Sequence, residues 1–343
     1  MDHLHCKIND QTLVVEKLER FVDDKKCVVK LVGARLPEAI RTIRLSKVPR
    51  VILFIRYLSD FNLTKCRELL TAHPEIANQT TAYREWRPVH YCADFGTKQQ
   101  LKLLMDFNID LNVIDKNHQH PLHIAASSNN LGMVVSLLKN NDQIQYVGDI
   151  HGETPLFLAI QRHASIMNKR NNEVNANLAL LTVRTLLQCG SNPMLYTASD
   201  QMTCYHLASQ YGDYEVLQLL LSAGKSYLSD INHVDKEGDN CLHFVCYEAK
   251  CARCVQLLIE HGADPSQRNN LERLPGQELG SNEKDLAIKA LLNNTQMFSG
   301  SQRKSKRALH AQTRSPFLSP GNPYSPYSPL SPLNSPKSPY SPL

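Results

Sequence analysis

Apolar residues recur along this chain in blocks of fixed layout. Five stretches align on one frame: "EWRPVHYCADFGTKQQLKLLMDFNIDLN" from Glu85, "KNHQHPLHIAASSNNLGMVVSLLKNN" from Lys116, "HGETPLFLAI" from His151, "DQMTCYHLASQYGDYEVLQLLLSAG" from Asp200 and "KEGDNCLHFVCYEAKCARCVQLLIEHGADP" from Lys236. The frame reads G-x-T-P-L-H-x-A-A and most copies continue to V-x-x-L-L-x-x-G. Arg87, His120, Thr154, Thr203 and Asn240 fill its Thr slot, at intervals of 33, 34, 49 and 37 residues. A degraded copy follows at Leu274-Pro275, and "VILFIRYLSDFNLTKCRELLTAHPEIANQ" upstream keeps only the second half of the pattern. Each copy predicts two short helices. The Thr slot caps the first, and Pro follows where no backbone donor is lost. Small residues let that helix pack closely, the Leu pair fills the core, and a Gly ends the second helix in a left-handed conformation, at Gly190, Gly224 and Gly262.

This frame, with its period near 33 residues, resembles the ankyrin repeat. The resemblance implies an all-α solenoid of about six to seven helix-turn-helix repeats with hairpin loops. The chain then divides into an N-terminal segment (1–50), a repeat domain (51–298) and a tail (299–343). The first segment holds an amphipathic piece, "DQTLVVEKLERFVDD", which leaves a helical cap or a partner helix open beside ordinary packing. The frame also accounts for a cysteine cluster that first suggests zinc, Cys241, Cys246, Cys251 and Cys254 with His243 among them. Cys241 stands in the Pro slot, as Cys204 does one copy earlier, Cys246 stands in the second Ala slot, and Cys254 takes a core position of the second helix. Free Cys is a small buried hydrophobe, and zinc sites usually present two close pairs where this stretch has one. His243 occupies the frame's own His slot, like His90, His123 and His206, and is expected to bond neighbouring backbone. No metal or other cofactor is expected.

Departures from the period narrow the resemblance. The 49-residue interval carries an excess around Gln161–Leu178, polar and rich in Asn, which reads as a loop between the two helices. With the order and spacing of "INHVDKEGDNCLHFVC" and "VQLLIEHGADPSQRNNLERLPGQEL", the stretch from Val51 to Asn294 is similar to the inhibitor-of-NF-κB family, particularly its nuclear members of the Bcl-3, IκB-zeta and IκB-NS type. Residues 1–50 contain a single serine, Ser46, and so no Asp-Ser-Gly degron of the cytoplasmic class. The resemblance implies a non-enzymatic regulator of transcription that holds a Rel-homology dimer on its repeat face. Candidate contacts are the hairpin tips: Asp115, Lys116 and Asn117, Asp149 and His151, Asp200, and Asp235, Lys236 and Glu237. A general adaptor in kinase signalling, without Rel binding, is the alternative.

Charge separates body from tail. The net charge is +5, yet residues 299–343 hold six basic residues and no acidic one, which leaves the body near neutrality with no sign of a basic face for nucleic acid. Nine of the 18 prolines lie in this tail, so a disordered segment is expected. Ser-Pro recurs at Ser315, Ser319, Ser325, Ser328, Ser331, Ser335, Ser338 and Ser341, the pattern a proline-directed kinase reads. Each phosphate adds roughly −1.5 to −2 charges, so modification would invert the tail's sign. Arg303, Lys304, Lys306 and Arg307 form a nuclear-localisation-like cluster, and the expected location is the nucleus with shuttling to the cytoplasm. "RAL" at Arg307–Leu309 fits a cyclin-docking pattern, and "YSPYSPL" is similar to the RNA polymerase II tail heptad beside simple low-complexity convergence. The most apolar run, "VPRVILFIRYL", is broken by Arg50 and Arg56 and is too short to span a bilayer. No phosphate loop, dinucleotide fingerprint, HExxH or nucleophile elbow is present, and "CAD" at Cys92–Asp94 falls inside a repeat slot.

Overall fold

The computed structural model describes residues 5–8, 11–23, 26–31, 42–44 and 48–293, apart from 83, 141–142, 169–172, 224–229, 250 and 278. The tail, with its eight Ser-Pro serines and its basic cluster, lies outside the described residues, as does Gly224.

Helical pairs stack in sequence order. They are α1 (Arg50–Ser59) with α2 (Leu63–Ala72), α3 (Pro88–Phe95) with α4 (Lys98–Met105), and α5 (Pro121–Ser127) with α6 (Leu131–Asn140). There follow α7 (Pro155–Met167) with α8 (Glu173–Gln188), α9 (Cys204–Tyr211) with α10 (Tyr214–Ala223), and α11 (Cys241–Phe244) with α12 (Ala252–Glu260). A last helix, α13, spans 283–293; the degraded copy at Leu274-Pro275 forms only a turn in front of it. One continuous core runs through the stack, since each first helix contacts those before and after it. Its frame residues are sealed off: Leu122, Leu156 and Leu242 are fully buried, as are Leu137, Leu186, Leu220 and Leu258 of the second helices. Gly190 and Gly262 take φ of +94° and +93°, the left-handed helix ends that the frame requires.

The segment 1–50 departs from a helical cap. Its described residues form a four-stranded antiparallel meander: β1 (His5–Ile8), β2 (Gln11–Asp23), β3 (Lys26–Leu31) and β4 (Thr42–Arg44), in the order β1-β2-β3-β4. β1 pairs with the start of β2 (His5 opposite Val14) and β3 with the rest (Asp23 opposite Lys26), with register shifts at Val15/Lys17, Leu18/Arg20 and Phe21/Asp23. The helical spacing in β2 is real, but two residues after it comes "KCVVKL", whose branched residues favour a strand. A hairpin partner that close overrides a weak local preference. β2 contacts α1, so this sheet adjoins the first end of the stack.

The insertion departs from a loop as well. Its residues extend both helices of the pair, α7 to 13 residues and α8 to 16, where the first helices α3, α5 and α9 have 8, 7 and 8. Ile166, Ala176 and Ala179 form a small core of their own between these extensions. Apolar residues at helical spacing within a polar stretch are enough to close that pair.

Candidate protein-interaction surface

Five of the hairpins that follow helical pairs are each built by one buried acceptor. Asp115 Oδ1 accepts from the amides of Asn117 and Gln119 at 2.8 and 2.9 Å. Asp149 Oδ1 accepts from those of His151 and Glu153 at 2.9 and 3.1 Å, and Asp235 Oδ1 from those of Glu237 and Asp239 at 2.9 and 2.8 Å. Thr197 and Asn269 hold the same place in the other two hairpins. A short polar side chain folds the backbone back on itself here, as in any Asx turn. The second oxygens tie neighbouring repeats together: Trp86 Nε1 donates to Asp115 Oδ2 at 2.8 Å and Gln119 Nε2 to Asp149 Oδ2 at 2.9 Å.

The tips then join in a main-chain ladder. Lys116 N donates to Arg84 O (3.0 Å), Ile150 N to Asn117 O (3.1 Å), Ala198 N to His151 O (2.8 Å), Lys236 N to Asp200 O (2.9 Å) and Asn270 N to Glu237 O (3.0 Å). Gly152 and Gly238 sit at the left-handed corner of two tips with φ of +76° and +81°. A Cβ there would come within 2.6 and 2.7 Å of the next tip's amide nitrogen, on Ala198 and Asn270. Gly152→Ala is therefore expected to destabilise the domain by about 1–2 kcal/mol, read as a lower urea midpoint. An unchanged midpoint would mean that the tips are not held this closely.

This geometry divides the candidate contacts. Asp115, Asp149 and Asp235 are buried, and their carboxylates are committed to building the turns. Burial raises the Asp235 carboxyl above its ordinary range, and burial together with the Asp149 charge does the same to Glu153. Lys116, Asn117, His151, Asp200, Lys236 and Glu237 join the ladder through their backbones, and their side chains are exposed. The exposed apolar residues Ile114, Ile150, Tyr196 and Leu271 lie among them and were missed by sequence reasoning. Their signal was available: Ile114 and Tyr196 share one hairpin position, directly before the turn-builder, where an apolar residue has no core to enter.

Behind the tips, the frame histidines lock α3, α5, α9 and α11 each to the next hairpin. Nδ1 of His90, His123, His206 and His243 accepts from the amides of Arg87, His120, Thr203 and Asn240 at 3.1, 3.1, 3.1 and 3.2 Å. Nε2 then donates to the carbonyls of Gln119, Val147, His233 and Arg273 at 3.0–3.2 Å. Burial lowers the first three to about 4 and lowers His243 as well, so all four are neutral near pH 7.

The cysteine cluster is dispersed. Cys241 faces Ser209, Cys246 lies near Asp285, and the Cys254 thiol points at the Gly212 carbonyl at 3.3 Å. No group of three or more His, Cys, Asp or Glu side chains is placed to hold a metal ion among the described residues. Burial pushes the Cys92 thiol up to about 12. Among the described residues no helix is long and apolar enough to cross a membrane.

The family model of ankyrin repeats (three copies) matches residues 56–146, 89–177 and 174–269, which together span more than half of the chain. The chain belongs to the ankyrin-repeat family. A solved structure, the ankyrin repeat domain of Bcl-3, an IκB-family protein, superposes with a TM-score of 0.56 over 69% of this chain and 97% of that one, at 18% identity. Among curated relatives, the mouse B-cell lymphoma 3 protein homolog is 31% identical over 154 residues, 44% of this chain and 31% of that protein. Mouse NF-kappa-B inhibitor zeta is 26% identical over 186 residues, 48% of this chain and 25% of that protein. An L-asparaginase from Dirofilaria immitis is 28% identical over 185 residues, 54% of this chain but 28% of the enzyme. This chain thus spans under a third of the length of each of these three relatives. It is an ankyrin-repeat protein-interaction module that resembles the atypical inhibitors of NF-κB.

Proposed function

We propose that this ankyrin module regulates transcription by holding a Rel-homology dimer on its row of hairpin tips, without catalysis of its own. The observation that carries this reading is the ladder. It fixes the tip backbones and leaves Lys116, Asn117, His151, Asp200, Lys236 and Glu237 projecting, with Ile150 and Leu271 as apolar anchors between them. Rigid presentation reduces the ordering cost of binding, and apolar anchors within a polar field are the usual make-up of a binding hot spot. The name of a relative, NF-kappa-B inhibitor zeta, supports a Rel-type partner.

Phosphorylation of the eight Ser-Pro serines by a proline-directed kinase would convert a +6 tail into an acidic one and tune nuclear residence or co-regulator recruitment. The basic cluster at Arg303–Arg307 supports a nuclear location with shuttling.

The test is titration of the full chain against recombinant Rel-homology dimers, with and without their DNA site. Saturable binding at micromolar or tighter is expected. A triple substitution that makes three tips acidic, K116E with H151E and K236E, is expected to weaken it at least ten-fold while leaving the circular dichroism unchanged, because these residues hold the ladder only through their backbones. Binding that persists on DNA fits a co-regulator, and binding that DNA abolishes fits an inhibitor that strips the factor from its site. No binding to any dimer would sink the Rel reading and leave a general ankyrin adaptor.

A further inference from the structure

The last complete repeat is one residue longer than its neighbours between its two helix caps. From first-helix cap to second-helix cap the step is ten residues in three repeats (Arg87 to Thr97, His120 to Asn130, Thr203 to Asp213). It is eleven from Asn240 to Cys251. A π turn over Val245–Ala249, directly after α11, takes up the extra residue. The consequence is chemical. Where α2, α4, α6 and α10 begin with an oxygen-bearing cap residue (Asn62, Thr97, Asn130 and Asp213), α12 begins with sulfur at Cys251, and its first turn carries a second sulfur three residues on. Cys251 is half-buried; Cys254 is fully buried, and its thiol donates to Gly212 O in the turn between α9 and α10.

Arg253 lies between the two cysteines. Its guanidinium stacks on the Tyr214 ring at 4.6 Å, and it borders a cleft of about 400 Å³ lined also by Met167, Tyr211 and Asp213. Cys251 makes no side-chain cap bond. The neighbouring Cys254 thiol one helical turn on, the amides of Cys254 and Arg253 and the Arg253 charge all favour the anion and, against partial burial, bring Cys251 down to about 6. The interaction with Cys251 and burial push Cys254 up, so the proton of the pair stays there. The buried cysteines behave in the opposite way. Burial drives Cys66, Cys92, Cys241 and Cys246 up to about 12, and Cys204 up as well.

We propose that Cys251 and Cys254 form a peroxide-reactive dithiol, with Cys251 the attacking thiolate and Cys254 the resolving thiol. The substrate class is a small hydroperoxide, ROOH. The Cys251 sulfur attacks the terminal oxygen; the S–O bond forms, the O–O bond breaks, and the alkoxide leaves as ROH after taking a proton from water. Cys254 then attacks the sulfenic acid; the S–S bond forms, the S–O bond breaks, and hydroxide leaves with the Cys254 proton as water. The dithiol loses two electrons and the hydroperoxide gains them. Once oxidised, Cys254 has no hydrogen to donate to Gly212 O, so the bond that fastens α12 to the preceding repeat is lost. This site stands independently of any Rel partner.

The test uses the full chain. Iodoacetamide labelling at pH 6.5, mapped by peptide mass, is expected to modify Cys251 about five-fold faster than an ordinary exposed thiol, for which Cys189 is the internal comparator. The larger thiolate fraction at Cys251 is partly offset by its lower nucleophilicity. Hydrogen peroxide is expected to remove two hydrogens from the peptide that holds Cys251 and Cys254. In C254A it should instead leave a Cys251 sulfenic acid that dimedone traps. C251D restores an oxygen cap, should remain folded, and should give no dimedone adduct. Labelling of Cys251 no faster than Cys189 overturns the proposal, as does peroxide oxidation without the internal disulfide. Should C254A fail to fold, the wild-type peptide masses decide alone.

Discussion

Lowering the pH from 7.5 to 5.5 is expected to destabilise the repeat domain by about 4 kcal/mol, through three buried histidines. In the folded protein His90, His123 and His206 protonate only near pH 4, against 6.5 for the free side chain. The cause is burial, which penalises the imidazolium, and geometry adds to it. Nδ1 is already an acceptor for the helix-cap amide, so a proton there breaks that bond. Because the folded values are depressed, the unfolded chain binds protons first as the pH falls. The stabilisation is complete above about pH 7 and is lost progressively between 6.5 and 4. At pH 5.5 each histidine forfeits about 1.4 kcal/mol by linkage. His243 is shifted the same way and adds to the effect. The raised carboxyls of Glu153 and Asp235 act with the opposite sign and offset part of this loss. Urea unfolding at the two pH values measures the effect. Trp86, the single tryptophan, reports on the first hairpin, with its ring 6.2 Å from that of His90. Equal midpoints at both pH values would contradict neutral, cap-bonded histidines.

Replacing Asp149 by alanine is expected to cost about 3 kcal/mol, whereas asparagine should cost under about 1 kcal/mol. Alanine strands two amides, on His151 and Glu153, and the side-chain amide of Gln119, all three now bonded to the carboxylate. Bonds to a charged group are worth about 1.5–3 kcal/mol each, part of which water recovers at an exposed tip. Asparagine keeps the turn-building oxygen, and Asn269 already does this work in the last hairpin, accepting from the amides of Leu271 and Arg273. Gln119 can turn its own amide over to meet the new side chain. Thermal or urea unfolding of the two variants separates the explanations. A large loss with both would mean that the charge itself matters; a small loss with both would mean that the ladder, not the carboxylate, holds the tip. Because each repeat touches only its neighbours, the damage should spread to the pairs on either side.

What could be read from residues alone was whatever the frame repeats. Pro at the first helical turn, a histidine two residues later, a leucine pair and a closing glycine recur at one spacing, so the helical pairs, their stacking and the buried state of Cys204, Cys241, Cys246 and Cys254 followed from it. These are local features whose chemistry is the same in every copy. The single extra residue before Cys251 was also legible as a number, though not as a π turn with a sulfur cap.

Three matters were settled only by tertiary structure. The described residues before α1 form strands where an amphipathic helix could be drawn, because β2 has β3 within hairpin reach and strand preference is realised only in pairs. The insertion lengthens α7 and α8, because Ile166, Ala176 and Ala179 find one another across the pair. The hairpin aspartates turned out to be divided from their neighbours by burial. Asp115, Asp149 and Asp235 point inward to the turn, and Lys116, His151 and Lys236 point outward. Composition and spacing treat adjacent polar residues alike. The direction of a side chain depends on which amides need an acceptor, and the fold alone supplies those amides.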